Sequence, residues 1–221
     1  MHLQPDLPII LLPGLNGDAR IFAPQALAFP SLTIARWIPP AESESLADYA
    51  RRLAGALDPG CPCLVGGVSF GGIVAMEMAR HLHARACVLI ASSRDPNGLP
   101  KAVRLLRPIA AVVPSTALTW AIRSGWESAT PLAPACARRI ARLSPEEMTF
   151  RRWALQAVLT WRGVRSPACP VLQIHGERDA TFAANRSKAD VILPGAGHML
   201  TLTHVEQVNE FLRATMRRWA A

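Results

Sequence analysis

Stretches of strand-like and helix-like spacing alternate along the 221 residues of this chain. That alternation predicts an α/β fold: a mostly parallel six-stranded sheet flanked by helices, with an inserted helical cap. Two observations carry it. Six short apolar runs, at residues 7–12, 32–38, 63–68, 86–91, 171–174 and 191–193, read as strands, and the helical stretches between them imply right-handed crossovers with helices on both faces. From residue 99 to about 163 the texture changes. Apolar residues there recur at helical spacing, broken at Pro108, Pro114, Pro131, Pro134 and Pro145, which predicts several short helices and no strand. The core is therefore expected at residues 1–97 and 166–221, and the helical cap at 98–165.

The first run ends at Pro13, and Pro13-Gly14-Leu15-Asn16-Gly17-Asp18 reads as a turn whose Asp18 can cap a helix running through Phe29. The second ends at Pro39-Pro40. Ser45 is the expected N-cap of a helix over 45–57, with Leu46, Tyr49, Ala50, Leu53 and Leu57 on one face. The third run leads through Gly66-Gly67-Val68-Ser69-Phe70-Gly71-Gly72 into a helix over 70–83. After the fourth run and the cap, the last two runs are expected to be joined by a loop through Ala183, Asn185 and Ser187, and an amphipathic helix over 205–219 closes the chain. In parallel sheets ligands bind beyond the carboxyl ends of the strands, where the winding reverses, so the cap would hang over that edge.

With half the residues hydrophobic and 18% charged, the composition is globular. No basic stretch precedes Ile9-Ile10-Leu11-Leu12, and that run is far too short to cross a bilayer; the expectation is a soluble cytoplasmic protein with no membrane partner. Five cysteines, at 61, 63, 87, 136 and 169, follow neither a CxxC nor a zinc spacing, so no disulfide framework, metal or other cofactor is expected. The net charge of +8 is concentrated. Residues 98–166 hold eleven basic side chains against three acidic ones, which accounts for the whole surplus. Such a surface can steer an acidic partner, and a solvated face is the plainer alternative. It lacks the interleaved aromatic residues of a nucleic-acid site, so no nucleic-acid partner is expected.

A serine flanked by glycines two residues before and two after, between a buried strand and a helix, is the pattern of a nucleophile elbow. Side chains at 67 or 71 would collide with neighbouring backbone as the chain reverses, and the turn exposes the Ser69 hydroxyl above the sheet edge. The Phe70 N–H, at the start of a helix, points at the same spot and supplies half of an oxyanion hole; the Leu15 N–H, after the first strand, is the expected other half. A serine needs a base, and the base needs a carboxylate to hold it. His198, in the flexible Pro194-Gly195-Ala196-Gly197-His198 loop after the last strand, is the expected base; His2, His81, His83 and His204 lack such a setting. Asp179, after the fifth strand, is the expected carboxylate, ahead of Glu177 and of Asp95 after the fourth. His175 is expected to brace the loop by hydrogen bonding.

GVSFG, IHGERD and GAGH, in that order and with a helical stretch between the first two, resemble the α/β-hydrolase family over nearly the whole chain. The resemblance implies the α/β-hydrolase fold with reduced N-terminal strands, and Ser69, Asp179 and His198 as nucleophile, acid and base. Within the family the chain looks most like small bacterial carboxylesterases, including the pimeloyl-acyl-carrier-protein methyl ester esterases. It departs from the pattern at two places. Pro13 stands where many members have His, which leaves the usual bracing of the oxyanion loop in question, and the interval from Asp179 to His198 is short enough to trim or remove a helix. Serine rather than aspartate at the elbow argues for ester hydrolysis through an acyl-enzyme, on a small acyl ester or an acyl group carried by an acyl-carrier protein. An acyl-thioesterase and a non-hydrolytic ligand-binding member are the alternatives. Trp120, Trp126 and Trp153 of the cap offer apolar material for an acyl chain, and Arg138, Arg139 and Arg142 a surface for an acidic carrier.

Overall fold

The computed structural model describes residues 7–99 and 143–219, with 104, 105, 107, 108 and 117 between them. Six strands, β1 (Ile9–Leu12), β2 (Leu32–Ile34), β3 (Cys63–Val68), β4 (Ala84–Ile90), β5 (Val171–Gly176) and β6 (Val191–Leu193), form one sheet in the order β2-β1-β3-β4-β5-β6. All five pairings are parallel. Winding reverses between β1 and β3, so the loops leaving those two strands flank the switch point. The second strand is shorter than its apolar run: pairing stops at Ile34, and the chain leaves the sheet before Pro39-Pro40.

Every residue of β1 and β3 is buried, as expected of central parallel strands covered on both faces. Alternation sends Ile10 and Leu12 to one core and Ile9 and Leu11 to the other. The first core lies under α2 (Leu46–Leu57), α3 (Phe70–Met78) and α4 (Pro145–Thr160); the second lies under α1 (Ala23–Ala28) and α7 (Val205–Trp219). Ser45 caps α2 by accepting from Asp48 N at 3.1 Å, and Leu46, Tyr49, Ala50 and Leu53 are buried along one face. Burying a side chain such as Leu53 stabilises by about 1.5–3 kcal/mol.

Two short elements complete the order, α5 (Ala184–Ser187) between β5 and β6 and α6 (Leu200–Thr203) before α7. The β5–β6 crossover helix is trimmed to the single turn of α5, which leaves Val191 and Ile192 of the edge strand exposed. Most of the predicted cap lies outside the described residues. Its last part, α4, is a 16-residue helix with a Ser144–Glu147 capping box, and it packs Phe150, Ala154, Ala157 and Leu159 into the first core. None of the helices among the described residues is long and apolar enough to cross a membrane.

Candidate active site

Ser69 stands between β3 and α3 at φ 56°, ψ −123°, a conformation costly for any residue with a Cβ. Surrounding bonds hold it there. Ser69 N donates to Ile90 O at 3.0 Å, and Ser69 O accepts from Gly72 N at 3.1 Å and from Ser92 Oγ at 2.6 Å. The two flanking glycines are required by close approach: a Cβ at 67 would lie 2.5 Å from Gly71 C, and one at 71 would lie 2.3 Å from Leu12 O and Pro13 O. The second clash shows how tightly the elbow abuts the loop leaving β1. Phe70 opens α3, so its N–H belongs to the helix's unpaired first turn.

His198 and Asp179 meet across the loops that follow β6 and β5. His198 Nδ1 lies 2.8 Å from Asp179 Oδ2. A carboxylate only accepts, so Nδ1 carries the hydrogen and, in the neutral ring, Nε2 carries the lone pair. Asp179 Oδ1 accepts from Thr181 N at 2.8 Å and Phe182 N at 2.9 Å, and the buried His175 Nε2 lies 3.3 Å from Oδ2. Burial alone would push this carboxyl up; the hydrogen bonds from His175, His198 and Phe182 N, with the imidazole's charge, outweigh it and hold Asp179 well below the usual carboxylate range. The Phe182 ring stacks on the His198 imidazole, centroids 5.9 Å apart and planes 16° from parallel. Glu177 is exposed and ties the two loops together, its Oε2 accepting from Gly195 N at 2.8 Å. Ser69 Oγ and His198 share no hydrogen bond within 3.5 Å. Such bonds are often long until substrate is present.

Under Ser69, Asp179 and His198 runs a buried polar floor. His175 Nε2 donates to Phe182 O at 2.8 Å, which leaves Nδ1 to accept from Gln173 Nε2 at 3.3 Å. Gln173 Nε2 also donates to Ser92 O at 2.9 Å, and Ser92 Oγ holds Ser69 O. Ser92, Gln173 and His175 therefore form a chain of polar contacts from the Ser69 turn to Asp179, ending in the 3.3 Å approach of His175 Nε2 to Oδ2. Arg94 Nε, donating to Gln173 Oε1 at 3.2 Å, and Asp190, accepting from Gln173 N at 2.7 Å, close the outer end.

The loop leaving β1 approaches Ser69 directly: a Cβ at Gly14 would be 3.7 Å from Ser69 Cβ. Gly14 O accepts from Gly17 N at 2.9 Å and from Trp37 Nε1 at 3.1 Å, and Asn16 Oδ1 accepts from Arg151 Nη2. Beside this loop Trp37, Tyr49, Phe70, Phe150 and Trp153 form one aromatic cluster, with Phe150 stacked on Trp37 at 5.4 Å and edge-on to Phe70 at 6.2 Å.

Of the other residues singled out in the sequence, Asp95 turns elsewhere. It caps its own turn through Asn97 N and pairs with Lys188 at 2.8 Å. Trp153 packs in the aromatic cluster and donates to Glu44 O at 2.8 Å. Trp120, Trp126, Arg138, Arg139 and Arg142 lie outside the described residues. Among the described residues, no cluster of His, Cys, Asp and Glu is arranged to hold a metal ion. Phe182, Gln173, Trp37 and Arg151 carry no local sequence signal, because each acquires its role from a partner brought close only by the fold.

The architecture has many counterparts. A thermophilic esterase from Thermogutta terrifontis, with malate bound, superposes with a TM-score of 0.65 at 19% identity, covering 97% of this chain and 91% of that one. ClbQ from the colibactin NRPS/PKS pathway gives 0.62 at 19% identity over 97% and 98%. The enol-lactonase from Burkholderia xenovorans LB400 gives 0.63 at 16% identity over 96% and 92%. At these identities the likeness is one of fold. A search of curated proteins finds no significant match. The family model described as alpha/beta hydrolase family matches residues 6–211, nearly the whole length, and the chain belongs to that family.

Proposed function

We propose that this protein is a serine hydrolase that cleaves a carboxylic ester through Ser69, His198 and Asp179. The observation that carries the reading is the 2.8 Å bond from His198 Nδ1 to the ionised Asp179, on the same sheet edge as a strained serine elbow. That bond fixes the tautomer whose Nε2 can take the Ser69 proton. Attack of Ser69 Oγ on the acyl carbon forms a tetrahedral intermediate, its oxyanion received by the N–H groups of Phe70 and Leu15. His198 then returns the proton to the leaving oxygen, giving an acyl-enzyme and an alcohol. Water, deprotonated by the same imidazole, repeats the attack and releases the acid.

The basic surplus of residues 98–166 supports an acyl group delivered by an acidic carrier protein, as a methyl ester or, in the second reading, a thioester. A panel of p-nitrophenyl esters and acyl-CoA thioesters of graded length ranks the two. Ser69→Ala is expected to lower kcat by about 10⁴-fold or more on whichever class is turned over. Activity surviving that substitution sinks the proposal. Failure of the wild type to react with a fluorophosphonate probe, under conditions that label an active serine esterase, favours a non-hydrolytic binding role instead.

A further inference from the structure

The loop after β1 begins at Pro13 and carries no histidine, yet it is held, and by residues far away in sequence. Gly14 O and Leu15 N–H belong to one peptide unit. A trans peptide is planar with its C=O and N–H pointing in opposite directions, so whatever fixes the direction of Gly14 O fixes that of the Leu15 N–H. Trp37 Nε1 and Gly17 N both donate to Gly14 O, at 3.1 and 2.9 Å, and Gly14 itself abuts Ser69. Asn16, the residue after Leu15, is held by Arg151, a side chain only 3% exposed. Phe150, beside Arg151 on α4, stacks on Trp37 and meets the ring of Phe70, whose own N–H is the other donor.

We propose that Trp37 and Arg151 are positioning residues that aim the Leu15 N–H at the oxyanion, with α4 clamping both halves of the hole at once. The assignment rests on the serine-hydrolase reading above. Oxyanion donors act through placement, and a shift of about 1 Å costs on the order of 100-fold in rate. Because α4 is the last part of the insertion, displacement of that helix by substrate would be felt at the reacting centre through the Arg151–Asn16 and Phe150–Trp37 contacts.

The test uses Trp37→Phe, which keeps an aromatic ring but removes the indole N–H together with its five-membered ring, and Arg151→Met beside Arg151→Lys. On a small p-nitrophenyl ester, W37F and R151M are expected to lose about 10- to 100-fold in kcat with KM within twofold, while R151K recovers part of the loss. Affinity for a trifluoromethyl ketone, whose adduct with Ser69 puts an oxyanion in the hole, should fall in the same proportion as kcat/KM. In the W37F/R151M double variant the losses should be less than multiplicative, because both act on one loop. Unchanged kcat in W37F, a loss confined to KM, or undiminished ketone affinity in a variant with a lowered melting temperature overturns the assignment while the hydrolase reading stands. A wild type inert on every ester and thioester overturns both.

Discussion

At the scale of single residues the proposed site depends on one carboxylate being ionised and held by hydrogen bonds. Asp179 achieves this by accepting from backbone at Oδ1 and from histidine at Oδ2 while buried, and those bonds hold its acidity well below the usual range despite the burial. A group whose folded pKa is depressed stabilises the fold above its unfolded value, about 3.9 for Asp. That stabilisation is lost as pH falls from there through the depressed folded value. The wild type is therefore expected to lose stability more steeply than Asp179→Asn on going from about pH 5 to pH 2. Thermal midpoints of the two proteins across that range test it, and parallel curves count against it. Across the range in which esterase activity is assayed the carboxylate stays ionised, so an acid limb in kcat/KM reports another group. Glu177, an acceptor for Gly195 N, ties the loop that carries His198 to the end of β5.

At the scale of elements the decisive unit is the strand–turn–helix of β3 and α3 pressed against the end of β1. The apolar run, the glycines and the serine made this unit legible in the sequence, because its geometry is imposed locally by sterics. What it presses against was not legible. Gly71→Ala places a methyl group 2.3 Å from two backbone oxygens, Leu12 O and Pro13 O, neither of which can rotate away. The β1 loop must then retreat from Ser69. The expected outcome is a kcat about 100-fold lower, or more, together with a lower melting temperature. A Gly71→Ala variant as stable and active as wild type would show that elbow and loop are not in the contact described. On α4 the helical spacing and the preceding proline breaks announce a helix, but its apolar positions could equally have packed against other cap helices. They pack instead into the core, at Phe150, Ala154 and Ala157.

At the scale of the whole molecule, charge is segregated: the inserted segment is basic and the rest of the chain is balanced. Neutralising Arg138, Arg139 and Arg142 together is expected to weaken turnover of carrier-bound acyl groups about tenfold at low salt and to spare small esters. Raising the ionic strength should erase the difference, since exposed charges are screened over about 10 Å at 0.1 M. Equal losses on both substrates remove the carrier from the proposal. The balanced part of the molecule holds the sheet, the second core, most of the first and the positions of Ser69, Asp179 and His198, while α4 of the basic segment completes the first core.

From sequence alone came the α/β class, six strands in their chain order, the strained serine turn, and the naming of His198 and Asp179, now seen hydrogen-bonded. These are set by local sterics, by apolar periodicity and by position after a strand, all of which short stretches of sequence encode. Only the folded chain decided that Asp95 pairs with Lys188, that Ser92, Gln173 and His175 line up between the Ser69 turn and Asp179, and that Trp37 and Arg151 grip the loop lacking a histidine. The bonds made by the Ser92, Trp37 and Arg151 side chains join residues 23 to 135 positions apart. A hydrogen bond of that kind is written in no window of sequence, because its partners are chosen by the packing of whole elements.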